Sequence, residues 1–157
     1  MIDRRATEDA IIESYRTVAR AVDRITLPVL VERGITMAQF KALIAVSNAG
    51  EEGIAITALG CELSIGQPSA SLIVDQLAKR GYAQRRPDDT DRRRVLVRAT
   101  PAGQELVSEL RTGRRSTVLG WLANVSDEDA ETIERGLHAF AAAVRASADS
   151  APDPELQ

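Results

Sequence analysis

Apolar residues recur at three- and four-residue steps along most of this chain, and the period drops to two in a single interval. From Glu8 to about Arg33, Ile12, Tyr15, Val18 with Ala19, Val22, Ile25 and Val29 form one stripe, which predicts an amphipathic helix. Pro28 lacks a backbone donor and crowds the preceding turn, so a kink or break is expected near Ile25–Leu27. Gly34 is the stop. Thr36 opens a second helix, and Gln39 three residues on completes a capping box. Phe40, Leu43, Ile44 and Val46 face a core there, and Asn48-Ala49-Gly50 ends it.

Gly53-Ile54-Ala55-Ile56 follows as a short extended stretch, with Thr57 as the cap of a two-turn helix, Ala58 to Leu63. Only Ser64-Ile65-Gly66 separates that helix from the next. The next begins at Gln67-Pro68, where a proline's missing donor is no loss, and runs through Leu72, Ile73, Val74 and Leu77 to Arg80, closed by Gly81. Two helices on so short a link predict a helix-turn-helix. The period-two interval comes directly after it. Tyr82–Arg86 and Arg94–Arg98 flank a turn-rich loop, Pro87 to Arg93, and predict a hairpin, that is, a wing.

Thr100-Pro101 then starts a long helix to about Ala123, with Leu106, Val107, Leu110, Val118, Leu119 and Leu122 as its apolar positions. Ser126 opens the last helix, whose first turn carries Asp127, Glu128 and Asp129, where the helix dipole favours negative charge. Its seam is Ala130, Ile133, Leu137, Phe140, Ala141 and Val144. The polar, proline-bearing residues from Ser147 onward are expected to be a disordered tail. The fold class expected is mainly α with a small β-wing: a winged helix-turn-helix over 35–100, flanked by helical dimerisation segments at 1–34 and 101–148, with 149–157 as a flexible tail. The outer helices carry apolar stripes but have no wide sheet to cover, so each other and a second chain are their natural partners, and a homodimer is expected.

Composition narrows the function. Hydrophobic residues are 44% and charged ones 27% of 157, an ordinary globular balance, and the 3% of aromatics favours helices over a large sheet. No apolar run reaches the roughly 18 residues of a membrane span, and the charged start, Met1 to Asp9, does not look like a signal peptide. Cys61 is the one cysteine, which rules out an intrachain disulfide and a four-thiolate metal site. Cytoplasmic residence is expected, with no membrane partner. The net charge of −3 hides an asymmetry. From Ser64 to Arg98 eight Lys and Arg stand against four Asp, a balance of +4, which leaves −7 elsewhere. A basic module in an acidic chain is what one phosphate-facing surface requires.

The helix that would enter a major groove opens with Gln67, Pro68, Ser69, Ala70 and Ser71. Gln67 suits a bidentate contact to adenine, and Ser69 and Ser71 suit a base or phosphate; the same residues also serve as plain capping and surface positions. Asp91, Arg92, Arg93 and Arg94 lie at the hairpin tip, where guanidiniums can enter a narrow minor groove, with Asp91 bracing Arg93. A solvated charged face is the plainer alternative.

Leu63 to Gly81 (LSIGQPSASLIVDQLAKRG) followed by RRPDDTDRRRVLVRATPAG resembles the MarR family of winged-helix regulators. The wing has Asp91-Arg92-Arg93, the strand Val95-Leu96-Val97, and the next helix opens with Ala99-Thr100-Pro101-Ala102-Gly103, with Ala99 where Leu is usual. Ile35-Thr36-Met37-Ala38-Gln39 and Ile56-Thr57-Ala58-Leu59 also resemble that family's openings of its second and third helices. The resemblance implies a homodimeric, sequence-specific binder of a pseudo-palindromic double-stranded DNA operator, usually a repressor released by a small aromatic or phenolic effector. It assigns Arg93 to the minor groove with Asp91 as its partner, and Gln67, Pro68, Ser69 and Ser71 to the reading helix. The following position, basic or polar in many relatives, is Leu72 here.

Tyr15, Phe40 and Trp121 are the aromatic candidates for an effector pocket, although Trp121 also fits a core or interface anchor. Cys61, beside Glu62 and away from positive charge, is expected to be a small packed residue. His138, the one histidine, sits among Leu137, Ala139 and Phe140 and fits a packing position. Asp88, Asp89 and Asp91 lack the twelve-residue calcium pattern. No nucleophile–base set and no phosphate-cradling glycine loop is present, so neither an enzyme, a cofactor nor a metal is expected. The alternative from another class is a winged helix used for protein contacts alone, whose sign would be an apolar patch on the reading helix and a wing without arginines.

Overall fold

The computed structural model describes residues 3–88 and 95–149. Its elements are α1 (Arg4–Glu32), α2 (Met37–Asn48), β1 (Ile54–Ala55), α3 (Ile56–Leu63), α4 (Gln67–Lys79), β2 (Ala83–Pro87), β3 (Val95–Ala99), α5 (Pro101–Leu122) and α6 (Asp127–Asp149). The fold is mainly α with a three-stranded antiparallel sheet of order β1-β3-β2, a winged helix-turn-helix with helices before and after it. β2 pairs with β3 from Ala83↔Ala99 to Pro87↔Val95, and β1 adds Ile54↔Val97 and Ala55↔Leu96. The helix-turn-helix is thereby tied to its wing by backbone hydrogen bonds as well as by the chain.

The chain divides into two compact units, Met1–Arg115 and Ser116–Gln157. In the first, one core draws on helices, turn and sheet alike. Leu30 comes from α1, Phe40, Leu43 and Val46 from α2, Leu59 from α3, Val74 and Leu77 from α4, Val97 from β3, and Leu106, Val107 and Leu110 from α5. Arg114 closes the edge of this core. Its Nε donates to Thr26 Oγ1 at 2.9 Å, and its guanidinium lies 5.4 Å from the centroid of Phe40. Arg111 donates to Asn48 Oδ1 at 2.6 Å and Arg33 pairs with Glu109 at 2.9 Å, so the first half of α5 is pinned to α2 and to the end of α1.

Several details differ from the sequence expectation. α1 starts at Arg4, capped by Asp3, and continues unbroken through Pro28. Proline forfeits one hydrogen bond, but buried Thr26 and Leu30 on either side hold the last turns against the core. α3 starts at Ile56, directly from β1, with Ala55 at its N-cap and no side-chain cap, so Thr57 lies inside the helix. The hairpin strands are shifted by one residue, to 83–87 and 95–99. Cys61 is exposed rather than packed, because α3 turns Ile56, Leu59 and Gly60 inward and the position two beyond Leu59 points the opposite way. α6 continues to Asp149, with Ser147 Oγ donating to the Ala143 carbonyl, so the helix passes through residues expected to be tail. Residues 150–157 and the wing tip, 89–94, lie outside the described residues.

The second unit is the end of α5 and α6. Ser126 caps α6, accepting from Asp129 N at 3.1 Å and donating to Asp129 Oδ2 at 2.7 Å. Ile133, Leu137, Phe140 and Val144 lie along α6 as exposed apolar side chains, and none of the helix's described side chains is buried. In the first unit, residues 3–18 of α1 and its cap are likewise all exposed, Ile11, Ile12, Tyr15 and Val18 among them. Among the described residues, no helix is long and apolar enough to cross a membrane.

Candidate nucleic-acid interface

The turn between α3 and α4 is built by backbone hydrogen bonds. Ser64 N donates to the Cys61 carbonyl at 3.0 Å and Ile65 N to the Gly60 carbonyl at 2.9 Å, the Schellman pairing that satisfies the last carbonyls of a helix. Ser64 takes the left-handed conformation at φ 54°. A Cβ at Gly60 would stand 2.9 Å from the Ile65 carbonyl, so the tight link depends on that glycine. Gly66 then caps α4, with Pro68 in its first turn.

α4 buries Ala70, Val74 and Leu77. At about 100° per residue the opposite side carries Pro68, Leu72, Asp75 and Lys79, with Ser69 and Ser71 flanking it. Pro68, Ser69, Leu72, Asp75 and Lys79 are exposed. The helix is held from behind by Gln39, which is 5% exposed: its Oε1 accepts from Thr36 N at 2.9 Å, and its Nε2 donates to Gln76 Oε1 at 2.6 Å. The capping residue of α2 is therefore also the strut of α4.

The wing is fastened to the same helix by Arg85. Its Nη2 donates to the Ser71 carbonyl at 3.2 Å, to Ser71 Oγ at 2.8 Å and to Asp75 Oδ1 at 2.8 Å. The pleat explains the placement: Arg85 and Val97 are cross-strand partners on the sheet face that packs inward, and Val97 is buried in the core. In the sequence Arg85 shows only as part of the basic count. Its inward parity on β2, with a carboxylate on the helix before it, is the signal that could have found it. Gln84, Arg86 and Arg98 take the alternate parity and line a recess of about 200 Å³ together with Glu51 and Gln104. At the base of the wing, Thr100 Oγ1 donates to the Gly81 carbonyl at 2.6 Å and accepts from Gly103 N at 3.1 Å. A side chain at Gly103 would run into the Tyr82 carbonyl.

Of the residues named from sequence for base or phosphate contact, Gln67, Pro68, Ser69 and Ser71 all lie in the first two turns of α4. Gln67 and Ser71 line, with Ala55, Ile56, Thr57, Arg85 and Val95, a cleft of about 350 Å³ between helix and wing. Ser71 is engaged by Arg85 inside the molecule. Asp91, Arg92, Arg93 and Arg94 fall outside the described residues. The aromatic candidates are dispersed by environment. Phe40 is 1% exposed in the core, whereas Tyr15 and Trp121 are 61% and 40% exposed. None of them lines the cleft beside α4. Among the described residues, no group of three or more His, Cys, Asp or Glu stands close enough to hold a metal ion.

A short helix, a tight turn, a second helix braced from behind and a hairpin locked to it define a winged helix-turn-helix of the transcription-regulator type. Residues 35–95, the winged helix-turn-helix itself, match the model of the MarR family. Over 78 residues it is 35% identical to the transcriptional repressor MprA of Escherichia coli (strain K12), a match covering 50% of this chain and 44% of that one. The chain thus spans less than half the length of that relative. The HTH-type transcriptional repressor YetL of Bacillus subtilis (strain 168) is 24% identical over 67% of this chain and 63% of its own. Among solved structures, RV1404 from Mycobacterium tuberculosis superposes with a TM-score of 0.77 at 26% identity, over 86% of this chain and 92% of that one. A S. aureus MepR–DNA complex gives 0.69 at 18% identity, over 83% and 96%.

Proposed function

We propose that the chain is a sequence-specific double-stranded-DNA-binding regulator that grips a pseudo-palindromic operator as a homodimer and represses transcription. The observation that carries this reading is the Arg85 clasp on Ser71 and Asp75, which makes the exposed edge of α4 and the β2–β3 hairpin one surface. A helix and a wing held in fixed relation suit adjacent grooves of a duplex, and the arginines following β2 in sequence supply the charge for the narrower one. Gln67 and Ser69 face bases, and Arg93, aligned by Asp91, enters the minor groove with Arg92 and Arg94 beside it.

Dimerisation follows from the exposed apolar stripes on α1 and α6, which two-fold symmetry would bring against their own copies. Half-sites then lie about one helical turn, roughly 34–36 Å, apart. The repressor assignment follows the names of MprA and YetL, and such an activity belongs in the cytoplasm and needs no catalysis. Release by a small aromatic or phenolic effector would use the exposed rings of Tyr15 or Trp121. Phe40 joins only if Arg114 moves off it.

A second reading, a winged helix that contacts proteins and no DNA, has one observation in its favour: Leu72 is exposed on the outward face of α4. Selection of duplexes from a random pool by the purified chain separates the two. The DNA reading predicts a recovered consensus with two-fold symmetry; a pool that stays random contradicts it.

A further inference from the structure

We propose that Leu72 is a specificity-determining residue that packs on the C5-methyl group of a thymine in each half-site of the operator. The inference rests on the DNA-binding reading above and names what that surface recognises. Leu72 is 58% exposed in the second turn of α4, on the side opposite buried Ala70, Val74 and Leu77. Two neighbours make it the centre of the free face. Ser71 Oγ accepts from Arg85, and the Asp75 carboxylate is paired with the same guanidinium. Ser71 therefore has less to offer a base, and the negative charge one turn beyond Leu72 is matched within the protein.

Among the described residues, the outward apolar side chains of α4 are Pro68 and Leu72, with Ser69, Asp75 and Lys79 around them, and the hairpin adds Val95. A stable protein partner needs roughly 800 Å² on each side, far more than these few apolar side chains present. The major groove offers an apolar group of the right size: the thymine methyl is the one hydrophobic feature among the base edges there. An exposed leucine on a groove-facing helix, set in a basic module, matches a methyl group in a polyanion. It matches neither a phosphate nor a guanine edge, which need donors.

The test uses the full chain and the duplex it selects from a random pool. Each thymine is replaced in turn by deoxyuridine, which removes the methyl and keeps every hydrogen-bonding group. One position per half-site is expected to weaken binding about fourfold when changed in one half and about fifteenfold when changed in both, from the burial of one methyl each. Leu72→Ala is expected to bind the thymine duplex more weakly and to treat the thymine and deoxyuridine duplexes alike. A selected duplex with no sensitive position, or a Leu72→Ala protein that still discriminates, overturns the assignment and leaves DNA binding standing. If no duplex is selected, both readings fall.

Discussion

The winged-helix elements and the terminal helices treat their side chains in opposite ways. Between α2 and β3 most large apolar residues are buried in one core or packed against it, with Leu72 and Val95 as exposed exceptions, and the polar groups that stiffen it are used twice: Gln39 caps α2 and braces α4, and Arg85 joins wing and helix. On α1 and α6, large apolar residues stand exposed along the helices, Tyr15 and Val18 on one, Leu137 and Val144 on the other. A 23-residue helix with an apolar seam and no buried described side chain gains little from its own chain. Hydrophobic burial, not propensity, stabilises most protein helices. The contrast teaches that α4 and the base of the wing are fixed by contacts within one chain, whereas the outer helices carry apolar seams that the proposed dimer would cover.

The contrast breaks most visibly on α6. Leu137→Asp puts a carboxylate in the proposed seam, where burial without a partner costs several kcal/mol. Sedimentation equilibrium is expected to show monomers for the variant and dimers for the parent; dimers in both would remove this seam from the interface. Next in size is Phe40→Ala, which empties a fully buried ring site beneath Arg114. It is expected to lower stability by about 3–5 kcal/mol in chemical denaturation. A drop of less than about 1 kcal/mol would mean that Phe40 is a pocket wall, not a core residue. Gly103→Ala drives a methyl into the Tyr82 carbonyl, and a cost of about 1–3 kcal/mol is expected from overpacking. The same melting curve as the parent would show that the start of α5 can shift freely.

The smallest stability effect belongs to Asp75→Asn. The Arg85–Asp75 pair is partly solvated, its side chains 32% and 51% exposed, so solvent screening leaves less than about 1 kcal/mol. Its consequence is expected in DNA affinity instead, because the clasp sets the angle between helix and wing. Unchanged affinity for the selected duplex would reduce the clasp to a surface ion pair.

Local rules make much of this architecture legible. The Thr36–Gln39 box, the proline start of α4 and the Thr100 opening of α5 act within four residues, and the structure shows them where their chemistry places them. The features that are not legible depend on partners distant in sequence. α1 passes through Pro28 because its neighbours are anchored in a core that no window around Pro28 contains. Ser64 adopts the left-handed turn that usually signals glycine. Arg85 becomes a clasp only once β2 is registered against β3 and its inward parity is fixed. The proposed base-reading residues are legible as a group, whereas the engagement of Ser71 by Arg85 is not.

The central claim, that one protomer's α4 and wing form a duplex-reading surface repeated by symmetry, is tested most directly by the salt dependence of binding. The dissociation constant of the full chain is measured from low to physiological salt for the selected duplex and for a scrambled one, with Arg93→Ala alongside. Binding at least about a thousandfold tighter to the selected duplex is expected. Log affinity is expected to fall linearly with log salt, and for Arg93→Ala with a slope shallower by about one per phosphate neutralised by that guanidinium in the parent. Equal affinity for both duplexes, or no binding even at low salt, would contradict it.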